Sequence, residues 1–227
     1  MERSDDNTRN VNTYALSTSA AWQHDESGRL LVSGDAVLSQ SEAGAYYNGD
    51  YIEGSIGYAY RPVTHDRLNA LFRYTFLYDL PTLGQVPAAS SAAAGPMQRS
   101  HIVSADVNYD LLPWLTVGGK YGARIGEVAV RNDSTKTIGA WQQSSAHLGV
   151  VRADLHVVKN WDALLEARAF FTPAVKSVDY GLLAALYRHI GNNFKVGAGY
   201  NFGRFSDDLR DLTLHDKGPF LNIVGKF

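Results

Sequence analysis

Seven histidines and one acid-rich run are the residues through which this sequence could do chemistry. The histidines are His24, His65, His101, His147, His156, His189 and His215. No H-E-x-x-H occurs, and none has a cysteine or a close second histidine at metal-ligand spacing. His156 follows Arg152 and Asp154 at every second position, which sets three ionisable groups on one face of a strand. That spacing suits a proton or ligand site. It suits better an interior ladder of charges that satisfies its own polar groups. His24, His65 and His189 fall at short turns and read as solvated.

Near the end of the chain, Ser206, Asp207, Asp208, Asp211, His215 and Asp216 supply enough acid for a loose cation site or an acid–base pair. The run lacks the D-x-D-x-D-G spacing and closing glutamate of a calcium loop, so it reads as an acidic surface loop. The glycines of "VGGKYG" and "VGAGYNFG" sit inside strand patterns, whereas a phosphate loop needs a strand-to-helix turn. The expectation is a protein that is not an enzyme and has no catalytic, metal or cofactor residues.

The elements that would position these residues are strands. The chain has 227 residues, no cysteine, 13 Tyr, 21 Gly and a net charge of −2, which favours an all-β protein and gives nucleic acid no electrostatic reason to bind. No apolar run approaches the roughly 18–20 residues of a spanning helix. From Leu68 to Tyr78 the even positions are Leu, Ala, Phe, Tyr, Phe and Tyr, with Asn69, Arg73 and Thr75 between them. The same period of two runs through His101–Tyr109, Leu115–Ile125, Leu30–Leu38, Ile52–Tyr60, Gly149–Val157, Ala163–Phe171, Phe194–Phe202 and Leu221–Phe227. It is weaker at Tyr14–Trp22 and ambiguous at Tyr180–Ile190. Eleven strands longer than usual are thereby predicted.

Connections alternate between short polar turns ("HDESGR", "PVTHDR", "DLLPW", "VKNWD", "HIGNNF") and longer loops, among them the low-complexity "VPAASSAAAGPMQ". An up-and-down meander with its long loops at one end produces that alternation. Aromatics flank the short turns (Trp22, Tyr58, Tyr60, Tyr109, Trp114, Trp161, Tyr187, Phe194). A second set lies near the long loops (Tyr46, Tyr47, Tyr51, Tyr78, Phe171, Tyr180, Phe202, Phe205). Two aromatic girdles around an apolar band are what a transmembrane β-barrel shows to lipid. The opposite face mixes Gly, Ser and Thr with Asp35, Glu53, Arg73, Asp106, Lys120, Arg124, Arg152, Asp154, Glu166 and Arg168. Opposed charges among small residues fit a curved polar lumen. The competing reading is a soluble β-barrel binding protein whose apolar face is its core.

The ending "GPFLNIVGKF" alternates Leu221, Ile223 and Gly225 outward and stops on Phe227. A terminal phenylalanine after alternating apolar residues resembles the C-terminal signature of bacterial outer-membrane proteins, which their insertion machinery recognises. "RPVTHDRLNALFRYTFLYDLP", "LHVVKNWDALLEARAF" and "GAGYNFGRFSDDLRDLTLHDKGPFLNIVGKF" resemble the C-terminal barrel region of large bacterial surface proteins, over about residues 50 to 227. The resemblance implies an outer-membrane location, contact with lipid and with the insertion machinery, and N-terminal domains missing from this chain.

The resulting expectation is an all-β, antiparallel up-and-down transmembrane barrel of about 11–12 strands. Residues 1–10 form a polar segment and 11–227 the barrel. An odd strand count with a polar start, "MERSDDNTRN", reads either as the C-terminal part of a larger barrel or protein or as a miscount around Val11–Gln23 or Tyr180–Ile190. Two functions fit: a membrane anchor or translocation unit for a larger surface protein, or a channel for small polar solutes lined by Arg73, Lys120, Arg124, Arg152 and Arg168 against Asp106, Asp154 and Glu166.

Overall fold

The computed structural model describes residues 11–41, 49–64, 66–80, 97–132, 135, 137–158, 160–191, 194–203 and 217–225. Its strands are β1 (Val11–Gln23), β2 (Gly28–Ser41), β3 (Gly49–Tyr60), β4 (Leu68–Leu80), β5 (Met97–Leu112) and β6 (Leu115–Ala129). A small hairpin, β7 (Arg131–Asn132) and β8 (Thr137–Ile138), leads to β9 (Gln142–Val158), β10 (Trp161–Thr172), β11 (Ser177–Ile190), β12 (Phe194–Asn201) and β13 (Gly218–Gly225). Apart from the hairpin, which forms its own two-stranded sheet, all lie in one antiparallel sheet of eleven strands whose spatial order is the chain order. The fold is the expected up-and-down β-barrel architecture. Its strands reach further into the long connections than the alternation showed: β5 begins at Met97, which is fully buried.

Short turns gather at one end. Between β1 and β2, Asp25 folds back to accept the backbone N–H groups of Ser27 and Gly28 at 2.7 and 2.6 Å, a local turn that only a short polar side chain makes. Between β11 and β12, Gly191 takes φ +64°, where a Cβ would be strained. The long loops lie at the other end, where Pro173–Val175 forms a single 3-10 turn after β10.

The pleat decides which residues face out. Val103, Ile125, Val151 and Leu221 are 56, 65, 68 and 83% exposed. A water-soluble domain would bury such residues, and a contiguous apolar surface of this kind marks a lipid-facing wall. Trp22, Tyr60, Tyr109, Trp114, Trp161 and Phe194 are exposed close to the short turns. Phe171, Tyr180 and Phe202 are exposed toward the long loops. Two of the expected girdle residues turn inward instead: the Tyr51 hydroxyl donates to Glu53 Oε2, and Tyr187 packs over Gly197 beneath the Lys195 ammonium. Tyr46, Tyr47 and Phe205 lie outside the described residues.

The interior is less uniformly polar than the alternation implied. Ile102, Ala146, Leu148 and Val150 form a buried apolar cluster with Phe170 against it. This explains why β11 read ambiguously: Leu182 and Leu186 face out, while Leu183 and Ala185, in the other register, face a partly apolar interior. The sheet curls until Gln23 of β1 and Arg152 of β9 line one cavity. Strands β1 and β13 end the hydrogen-bonded order, so pairing of the last strand with the first is not among the pairings of the described residues. Phe227 lies outside them.

Candidate functional site in the barrel interior

Strand register fixes the height of each interior side chain. Asn108 stands opposite Gly118, Gly118 opposite Arg152, and Arg152 opposite Glu166, which brings β5, β6, β9 and β10 to one level; Asp106, opposite Lys120, stands one step nearer the long-loop end. Gly118 leaves the room: a Cβ there would overlap the Asn108 side chain and the Arg152 stem. Arg152 Nη2 therefore reaches across β6 to Asp106 Oδ2 at 3.0 Å, while its Nε lies 3.7 Å from Glu166 Oε2. Glu166 in turn pairs with Arg168 on its own strand, and both are buried. Asn108 donates to Asp106 Oδ1 at 2.8 Å. Four of the eight charged residues predicted to line the lumen thus form one continuous chain, Asp106–Arg152–Glu166–Arg168. Alternating signs offset the cost of removing each charge from water.

The other four are placed differently. Asp154 is half-buried opposite Thr116, one level nearer the short turns. Lys120 and Arg124 share the inner face of β6 on the long-loop side of Gly118, Arg124 being buried beside the apolar cluster. Arg73 stands apart on β4, opposite Ser104 on one side and Gly57 on the other. Asp35 and Glu53 are opposite each other on β2 and β3, nearer the long loops, and Ser17 donates to Asp35.

A second cluster escaped the sequence. Asp162 of β10 is buried, with His156 of β9 ion-paired to it, His189 Nε2 of β11 at 2.7 Å and Lys195 Nζ of β12 at 2.5 Å. Four consecutive strands are tied through one carboxylate near the short turns. His189 is accordingly a paired interior residue, not the solvated turn residue its position predicted. The signal was hidden because Asp162 reads as part of the polar turn "VKNWD", and only a register shift that skips Val157 of β9 sets it opposite His156. Among the described residues, no group of three metal-ligating side chains could hold a metal ion. The acidic run from Ser206 to Asp216 lies outside them.

Opposite the charge chain, the wall formed by β1 to β4 is lined by small and hydroxylated residues. Two cavities lie against it. One of about 700 Å³ opens at the short-turn end, with Arg29, Asn69, Asp106, Asn108 and Arg152 among its lining. Another of about 370 Å³ sits higher, lined by Ser19, Ser33, Ser55, Gly57 and Arg73, and Leu31 borders both. The Ser33 and Ser55 hydroxyls bond each other at 2.8 Å.

No protein-family model matches the chain, and no curated protein sequence is significantly similar to it. Among solved structures, the siderophore receptor PirA from Acinetobacter baumannii superposes with a TM-score of 0.51 at 14% identity. The match covers 84% of this chain and 33% of the receptor. The NanC porin gives 0.49 at 12% identity over 97% of this chain and 95% of the porin. The TodX monoaromatic hydrocarbon channel gives 0.43 at 11% identity over 96% and 74%. The receptor's likeness carries the fold alone: this chain has the architecture of an outer-membrane β-barrel.

Proposed function

We propose that the chain is a bacterial outer-membrane β-barrel that admits small polar solutes along the β1–β4 wall. One observation carries the reading: the interior is divided, with the β5–β10 half filled by ion pairs and an apolar cluster and the β1–β4 half left as two stacked cavities, the lower lined by charged and amide side chains such as Arg29, Asp66 and Asn69 and the upper by Ser19, Ser33 and Ser55. Serine hydroxyls donate and accept in turn, so they replace a solute's water without selecting one charge. Arg73, in the upper cavity, and the Arg152–Asp106 pair, beside the lower one, then set the electrostatic preference. The outer wall rests in lipid, and Leu221, Ile223 and Phe227 present the apolar signal to the insertion machinery.

The filled half supports a second reading. A barrel so obstructed serves as the membrane anchor or translocation unit of a larger surface protein, with a pore that is incidental. Planar-bilayer recordings of the refolded chain separate the two. A channel gives discrete conductance steps, and Arg73→Ser shifts the reversal potential in a salt gradient toward cation preference. Silent, intact barrels in the bilayer would leave the anchor.

A further inference from the structure

Two histidines face outward, on the wall assigned to lipid. His101 of β5 has its Nδ1 2.7 Å from the Tyr74 hydroxyl of β4, and His147 of β9 has its Nδ1 2.9 Å from the Tyr121 hydroxyl of β6. The two pairs are built alike. Tyr74 is opposite Val103, and its histidine lies two residues toward the long loops; Tyr121 is opposite Gly149, and its histidine lies two residues the same way. Each imidazole also packs on a directly opposed phenylalanine, Phe76 for His101 and Phe171 for His147.

Their height is informative. His101 stands eight residues above Tyr109 of the short-turn girdle, and His147 eight above Leu155. Eight residues at about 3.3 Å each, tilted roughly 40°, climb about 20 Å, close to the top of an apolar band some 25 Å tall. An imidazole there lies about 5 Å below the top of the band, within reach of the headgroup layer. The tyrosine hydroxyl and Nδ1 share a hydrogen bond whose direction follows the imidazole tautomer, and in the tautomer protonated at Nε2 that N–H is left to donate elsewhere. Two strand spacings, about 10 Å, separate the pairs, with Ala123 of β6 opposite His147 and Ile125 opposite His101. Arg99, above His101 on the same face, is held by Glu127 and lies 4.5 Å over the Trp141 ring, so the histidines are the available donors.

We infer that the two Tyr–His pairs seat phosphate groups of anionic lipid at the long-loop edge of the membrane, one headgroup on each. A phosphate that keeps its net negative charge accepts such a hydrogen bond more strongly than one whose charge is offset by a cationic group in the same headgroup. The groups facing the histidines are Tyr74 and Phe76 on β4, Arg99 on β5, Glu127 and Tyr121 on β6 and Phe171 on β10. Glu127, already engaged by Arg99, is the only carboxylate among them. The inference rests on the outer-membrane reading.

The test is native mass spectrometry of the whole chain refolded in detergent and titrated with phosphatidylglycerol or phosphatidylcholine. Two phosphatidylglycerols should be retained in preference to phosphatidylcholine. The double variant His101→Leu/His147→Leu should bind phosphatidylglycerol roughly tenfold more weakly and lose the preference between the lipids. Equal binding by both proteins, or no preference between lipids in the native chain, overturns the inference. A dimer that the variant abolishes does so too, because the face would then seat a second copy. Should the double variant give no heat-modified band, Tyr74→Phe/Tyr121→Phe replaces it, with weaker binding expected. Failure of the membrane reading is separately visible, as folding in plain buffer.

Discussion

Single residues in this barrel are governed by how closely backbones approach. A Cβ at Gly126 would collide with the Arg99 carbonyl oxygen and with Ser100 across the β5–β6 ladder, and neither can move without parting the strands. Gly54, by contrast, has nothing within 4 Å of where its Cβ would stand. Gly126→Ala should therefore destabilise by about 1–3 kcal/mol, while Gly54→Ala should be neutral or slightly stabilising. The temperature at which the folded gel band converts to the unfolded one reports both. Equal behaviour of the two variants would mean that β5 and β6 are further apart than described.

Between strands, the strongest interior tie is Asp162. Its carboxylate gathers His156, His189 and Lys195 from the three other strands of the β9–β12 segment; the carboxylate itself is buried, while its partners reach it from the partly exposed inner surface. Asp162→Ala leaves three donors without their acceptor, a loss of about 2–4 kcal/mol if two of the bonds carry the usual charged-group weight. Asp162→Asn keeps the shape and one acceptor, so about half that loss is expected. Chemical denaturation in micelles measures both. A variant as stable as the native chain would show the cluster to be solvated. The charge chain Asp106–Arg152–Glu166–Arg168 works two levels higher, crossing over β6, and together the two networks tie β5 to β9–β12 in the filled half of the interior.

For the whole molecule, the decisive matter is where the apolar surface goes. Large exposed side chains such as Leu16, Ile56, Val103, Ile125, Val151, Leu182, Leu221 and Ile223 ring the outside, while the interior apolar cluster is small. At about 25 cal/mol per Å², an outer wall of this kind is stable only against lipid or detergent. Refolding should thus give a heat-modifiable band only when micelles are present. Cooperative folding in plain buffer without a mobility shift would make the outward faces an internal core.

The sequence by itself determined the number of main strands, their order and the end at which the long loops gather. Period-two alternation and turn chemistry are local, and a meander pairs each strand with its neighbour in sequence. It also placed Arg152, Asp154 and Glu166 on one face of their strands, since the pleat alone does that. It did not show that Tyr51 and Tyr187 turn inward or that Leu148 and Val150 are buried. Nor did it show that Asp162 collects three partners, or that His101 and His147 each meet a tyrosine. Those facts depend on register between strands, on one irregularity at Trp161–Asp162 and on the curl that brings β9 over β5. Alternation tells two faces apart; only the paired and curled sheet decides which side chains on a face are close enough to touch.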